Sequence, residues 1–438
     1  MEKIRVGIIG QGRSGRDIHR HLFETQAPLR DRYEVVAIAD YIGERCVALP
    51  GVAPSPELKI YTDYKELLKN RDIDLIINAT CSKDHVALSI EALEAGFNVI
   101  CEKPVARRVA DFDRLVSVAA VCDLVKSKAE GLSLRYGIPH IFTDYRKMLD
   151  SSAIDAVSVC TDHGSHALIS LDALATGKHV ICEKALSANR KDLGLMVAAE
   201  SRYKDLVFSG VFQHRFESWY NYLRGIIKSG VFGRLLTINL NVLCWRSADY
   251  YAADEWRGTW SKEGGAVLIN QAIHFIDLLG WMSGGVESIS GSYANLTHLS
   301  IECEDVASAS LIYKNGAVGA LTATSSSPLE WEPVLSFNGT SGSLDLCNSE
   351  IRRINFRDKS LESQITREYA EIKQNDRELT LSKAYYGNGH PRQLANFISA
   401  IRGEEELRVP VHSAAHAVDI VLSVYESYNT GKRITLTF

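Results

Sequence analysis

The chain has 438 residues, of which 46% are hydrophobic and 24% charged, close to globular averages and unlike a disordered composition. That length exceeds what one core ordinarily holds, so two or three domains are expected. A net charge of −5 gives no footprint for nucleic acid or an anionic membrane, and no apolar run approaches the ~20 residues that span a bilayer.

The opening Met1-Glu2-Lys3-Ile4-Arg5-Val6 runs straight into a strand and leaves no room for a signal peptide. Residues 4–10 read as a buried parallel strand, followed by Gly10-Gln11-Gly12-Arg13-Ser14-Gly15, a helix through Phe23, and a strand Tyr33–Ala39 ending in Asp40. Strand, glycine loop, helix, strand and acid form a dinucleotide-binding unit. Its glycines let the backbone approach a pyrophosphate, whose charge meets the amides at the helix N-terminus. Taken alone, the same glycines could merely let helix and strand pack. Asp40 would accept the ribose hydroxyls and repel a 2′-phosphate, which favours NAD, while Arg13 and Arg45 keep NADP open.

Further on, helices at Tyr64–Lys69 and His85–Ala95 alternate with strands at Asp74–Ala79 and Phe97–Cys101, the pattern of a parallel sheet. Thr80 and Glu102-Lys103-Pro104 fall at strand carboxyl ends, where functional groups of such sheets belong; Thr80, His85 and Glu102 are read with the glycine loop as cofactor contacts. Most of this stretch then recurs at a constant spacing of 81 residues. Thr62-Asp63-Tyr64 returns as Thr143-Asp144-Tyr145, Thr80 as Thr161, His85 as His166, Gly96 as Gly177, and Ile100-Cys101-Glu102-Lys103 as Ile181-Cys182-Glu183-Lys184. Between the copies, Val109–Val116 looks helical, and residues 117–123 either extend that helix or form a strand ending in an acid. The second copy has no glycine loop.

Residues 207–213 resemble a closing sixth strand. Beyond them, alternating strands at Leu235–Leu243, Glu287–Tyr293, Val306–Lys314 and Val318–Thr324, with a hairpin signal at Asn315-Gly316, point to an α+β domain on a largely antiparallel sheet. Glu263–Met282, Pro391–Ile401 and Ala414–Tyr428 supply its helices. The expected domains are 1–116 (dinucleotide-binding), 117–206 (a duplicated half-domain) and 207–438 (substrate and oligomerisation). Nine cysteines, none in a C-x-x-C pair, read as free thiols of a cytoplasmic protein with no metal cluster.

Lys103 or Lys184 is the first candidate for chemistry: a partly desolvated lysine at a strand end beside a nicotinamide could hold or move a hydroxyl proton, unless it merely pairs with the preceding glutamate. Asn270 and His274, four apart on one helix face after Gly264-Gly265, are the second; His274 would be a base, with Asn270 orienting substrate or imidazole, or else a structural histidine in an apolar helix. Tyr250, Trp256 and Arg257 offer aromatic faces and a guanidinium suited to a sugar with an anionic substituent, or else a packed domain edge. Arg215 is placed with them as a substrate contact.

As a set, the glycine loop, Ala79-Thr80 with His85, Glu102-Lys103-Pro104, Gly264-Gly265 with His274 and Asp277-Leu278, and Gln393-Leu394 with Phe397 and Ala400-Ile401-Arg402-Gly403 resemble the Gfo/Idh/MocA oxidoreductases. The resemblance covers nearly the whole chain. It implies an NAD(P)-dependent dehydrogenase acting on a secondary alcohol of a sugar, cyclitol or sugar nucleotide, built as a dimer or tetramer, with the lysine and histidine flanking the reacting carbon. Three departures stand out: Asn270 replaces a frequent aspartate, Ala185 replaces the second copy's proline, with the fourth-strand Thr-Pro lost in both copies (Cys81, Asp162), and the half-domain is duplicated. One glycine loop and one His274 helix make parts for a single site. Chain order and Pro104 favour Lys103 as the working lysine, with Lys184 the alternative. A glycosidase of the same fold using NAD transiently, or a non-catalytic nucleotide-binding sensor or assembly protein, are the competing readings.

Overall fold

A computed structural model of the chain describes residues 3–47, 49, 52, 55–81, 84–101, 118–376 and 389–438. They fall into two compact units, Met1–Val118 and Ala119–Phe438.

In the first unit β1 (Ile4–Ile9), β2 (Tyr33–Ala39), β3 (Lys59–Tyr61), β4 (Leu75–Asn78) and β5 (Asn98–Cys101) form a parallel sheet of order β3-β2-β1-β4-β5. β1 lies at its centre because both its faces are apolar and covered: Val6 and Ile8 are buried in the core on one face and Ile9 in the core on the other. The helix His85–Glu94 crosses between β4 and β5. The helix expected at Val109–Val116 lies outside the described residues.

The second unit opens with the second copy. The ambiguous junction is a strand, β6 (Ala120–Cys122), leading into Asp123 and paired in parallel with β7 (His140–Phe142). β8 (Ala156–Val159), β9 (His179–Cys182) and β10 (Phe208–Gly210) make a separate parallel sheet of order β10-β9-β8. The expected closing strand is therefore real but closes the second copy: the helix Arg190–Arg202 returns the chain from β9 directly beside it, and Phe208 pairs with Val180. β6 and β8 share no ladder. In a doubly wound sheet the strand between those two positions is strand 1, which the second copy lacks.

The rest of the unit is an eight-stranded sheet of β11 (Leu235–Trp245), β12 (Val286–Ala294), β13 (Val306–Tyr313), β14 (Val318–Thr324), β15 (Ser326–Gly339), β16 (Gly342–Cys347), β17 (Glu350–Phe356) and β18 (Ile434–Thr435), ordered β17-β16-β15-β11-β14-β13-β12-β18. Only the β11–β14 pair is parallel. The Asn315-Gly316 turn joins β13 to β14, with Gly316 at φ +80°. The helices Ile273–Ser283 and Val411–Thr430 pack on β11 and β12. The expected division at 206/207 does not appear, because Val157, Val180, Leu193 and Phe208 share one apolar core with Ile238, Leu268 and Val418. Among the described residues, no helix is long and apolar enough to cross a membrane, and no group of acidic, histidine or cysteine side chains could hold a metal ion.

Candidate functional site

In the first unit β1 delivers the chain to Gly10, whose φ of +93° and closeness to Ala79 exclude any side chain: a Cβ would lie 2.5 Å from the Ala79 carbonyl oxygen. The helical turn Arg13–Arg20 follows Gly12, so its first amides face the loop. Asp40, at the end of β2, is 6% exposed and accepts hydrogen bonds from the backbone N–H of Gln11 (2.7 Å) and Ile42 (2.9 Å). Arg45 lies 3.9 Å from the same carboxylate. Gln11 Oε1 and Ser14 Oγ are buried without partners, and a Cβ on Gly12 would meet nothing within 4 Å. The orphaned Ser14 hydroxyl and open space at a helix N-terminus fit the pyrophosphate of a dinucleotide, and the Asp40 carboxylate could accept from its ribose hydroxyls. Thr80, just past the end of β4, has its hydroxyl on Asn78 Oδ1 (2.7 Å), and its carbonyl meets the His85 ring (3.1 Å). Glu102 and the favoured Lys103 lie outside the described residues.

The lysine that the structure brings to the predicted helix is Lys184. From the end of β9 its Nζ donates to Asn270 Oδ1 (2.7 Å) and to the Asn270 carbonyl (3.0 Å). Asn270 and His274 do not share one continuous α-helix: Asn270 sits in a π-helical turn, Val267–Gln271, and His274 in the helix Ile273–Ser283. Such wide turns recur at functional sites. Gly264, at φ +81°, admits the strand-end loop so closely that a Cβ would lie 2.5 Å from Ala188 Cα. The Lys184–Ala185 peptide is cis.

Around this contact the polar groups are tightly matched. Asn270 Nδ2 donates to Glu263 Oε1 and lies 3.3 Å from Tyr250 Oη. Tyr250 Oη also receives Arg257 (2.6 Å) and Gln271 Nε2 (3.1 Å), and the Arg257 guanidinium lies over the Tyr250 and Trp256 rings. Burial lowers the Lys184 pKa, opposed by the charges of Glu183 and Glu263. Burial, then the Lys184 charge, pushes His274 well below the ordinary histidine range, so its half-buried imidazole is neutral; its buried Nδ1 has no partner. His163 is pushed down to about 3 by the same two causes and holds the Glu263 carbonyl at 2.8 Å.

One expected contact is overturned. Arg215 is 4% exposed, with its guanidinium on Asp277 (2.8 and 2.5 Å) and Ser413 (2.7 Å); it ties the His274 helix to the helix Val411–Thr430 and is not available to a substrate. Sequence reading passes over Glu263 and His163. Glu263 has a signal, since it directly precedes Gly264-Gly265; His163 gains its place only through the fold.

Comparison with known proteins shows the family. The family model described as "Oxidoreductase family, NAD-binding Rossmann fold" matches residues 4–121 and again 116–211, and "Oxidoreductase family, C-terminal alpha/beta domain" matches 224–436. The chain is 24% identical over 340 residues to the D-glucoside 3-dehydrogenase of Escherichia coli, spanning 73% of this chain and 90% of that protein. It is 37% identical over 131 residues to inositol 2-dehydrogenase 2 of Paenarthrobacter aurescens, covering 30% of this chain and 36% of that one. Among solved structures, the WlbA dehydrogenase of Bordetella pertussis in complex with NADH and UDP-GlcNAcA shares the fold at a TM-score of 0.61 and 23% identity, over 100% of this chain and 99% of that one. A levoglucosan dehydrogenase in complex with NADH and levoglucosan has a TM-score of 0.62 at 21% identity, over 72% and 90%. With both domain models matched in order along the sequence, the chain belongs to the Gfo/Idh/MocA family of NAD-binding oxidoreductases.

Proposed function

We propose that the protein is an NAD-dependent dehydrogenase that oxidises a secondary alcohol of a sugar, cyclitol or sugar nucleotide, with Lys184, rather than Lys103, as its working lysine. The observation that carries this reading is the Lys184–Asn270 contact, with the His274 imidazole, kept neutral by burial and then by the Lys184 charge, carrying a buried Nδ1 that has no hydrogen-bond partner. The dehydrogenases of glucoside, inositol and levoglucosan among its relatives support the substrate class.

NAD, when bound, supplies the hydride acceptor. His274, neutral at pH 7, accepts the hydroxyl proton as the carbinol is oxidised. The Lys184 ammonium donates to the same oxygen and stabilises the negative charge that develops there. Asn270 holds that ammonium in place. Tyr250, Trp256 and Arg257 present aromatic faces and donors to the ring being oxidised. We place the enzyme in the cytoplasm as a homodimer or homotetramer.

A panel of glucosides, inositols, anhydrosugars and nucleotide-linked sugars tests the assignment through NADH absorbance. Net NADH formation with at least one of them is expected. Sugar release without net NADH would replace the dehydrogenase by a glycosidase. NADH binding with no turnover in any member would leave a nucleotide sensor.

A further inference from the structure

We propose that Glu263 is a positioning residue of this site: its buried carboxylate fixes which way the Asn270 amide faces and so presents Asn270 Oδ1 to Lys184. The inference rests on the reading of Lys184 as the working lysine. An asparagine amide has an acceptor end and a donor end of nearly equal size, and only its partners decide the orientation. Here the deciding partner accepts and cannot donate. Glu263 is 1% exposed, and its two oxygens meet two donors, the Gly258 backbone N–H at Oε2 and Asn270 Nδ2 at Oε1. With Nδ2 held by Glu263 and by Tyr250 Oη, Oδ1 is left to receive Lys184 Nζ. A flipped amide would aim two N–H groups at an ammonium.

Both acceptor oxygens of Glu263 are used, so glutamine cannot replace it. A glutamine side chain there would satisfy the Gly258 N–H with its single oxygen and turn its own amide N–H groups toward Asn270, which drives the flip. The charges acting on Lys184 come from several elements: Glu183 and Glu263 raise its pKa, Arg257 and Arg246 lower it, and His163 and His274 face it as neutral rings. Removing the Glu263 charge therefore shifts Lys184 downward.

The test compares full-length wild type with Glu263→Gln and with Glu263→Gln/Asn270→Asp. Lys184 is titrated by its pH-dependent acetylation with acetic anhydride, read by mass spectrometry, alongside kcat and KM. In E263Q the labelling midpoint should fall by about one pH unit and kcat by about 10-fold, with KM within about 2-fold. The double variant moves the carboxylate from position 263 to position 270. The Gly258 N–H then meets the introduced amide oxygen, the introduced amide N–H meets the relocated carboxylate, and Lys184 meets that carboxylate from the other side. Its midpoint should return to or above wild type and kcat to within about 3-fold, a non-additive rescue that a merely structural Glu263 would not give. An unchanged midpoint in E263Q, or a folded double variant no better than E263Q, overturns the inference. If E263Q does not fold, the double variant's midpoint decides alone. Should the wild type turn over no substrate, the labelling midpoints still test the contact, so the two readings fail separately.

Discussion

The two copies of the repeat keep their internal contacts and differ wherever a neighbouring strand is missing. Tyr64 donates to Glu91 as Tyr145 donates to Asp172, 27 residues on in each case; both hydroxyls are pushed up to about 12, by burial first. Asp63 and Asp144 cap the helices that follow them, and His85 and His166 hold the carbonyls of Thr80 and Thr161. Burial diverges instead. Ile77 on β4 is fully buried beside β1, whereas its counterpart Ser158 on β8 is exposed. Ile100 on β5 is 47% exposed, whereas its counterpart Ile181 on β9 is 3% exposed under β10. Among the described residues the first copy has strand 1 and no strand 6, and the second has strand 6 and no strand 1. A side chain's environment in a sheet is thus set by the next strand over more than by its own local sequence.

Three experiments break or sharpen that comparison. The largest effect is expected at the repeated lysines: Lys184→Ala should lower kcat/KM about 10³-fold and Lys103→Ala less than about 3-fold, and the reverse ranking would move the active site to the first copy. Next come the paired isoleucines. Removing the buried Ile181 side chain (Ile181→Ala) should cost about 3 kcal/mol in denaturant unfolding, while Ile100→Ala costs under about 1 kcal/mol. Equal losses would mean that β5 is covered in solution. Smallest is the effect at the terminal acids of the second strands. Asp40→Ala should weaken NADH binding about 10-fold, measured by fluorescence titration, and Asp123→Ala should leave it unchanged, because only Asp40 has a glycine loop to anchor.

Much of this is legible in the sequence. The glycine loop, the strands β1, β2, β4 and β5 and the hairpin at Asn315-Gly316 each carry a local signal and stand where it puts them, whereas the three-residue strands β3 and β7 are too short to be read. Nonlocal pairings are less accessible. Which strand lies beside β10, and which lysine meets Asn270, depend on the Arg190–Arg202 crossover and on a core shared between residues far apart in the chain. Arg215 illustrates the same limit: only the fold reveals Asp277 and Ser413 as its partners. The strands β15 to β17 and the helix Lys359–Asp376 carry periods that sequence reading passes over: Leu335 and Phe337, and Leu344 and Leu346, alternate inward, and Leu361, Ile365, Tyr369 and Ile372 recur at helical spacing.

The single strand β1 also has a consequence for how the chain must be made. Its edges match β2 and β4, and the repeat gives β6 and β8 nearly the same right to it. A ribosome settles the competition by order: β2 and β4 emerge before β6 and β8 have been synthesised. Dilution from denaturant removes that priority and offers β1 to both pairs of edges at once. Freshly synthesised and refolded protein should then differ in amide exchange at β4 and β8, and identical patterns would show that sequence alone, without timing, assigns the strand.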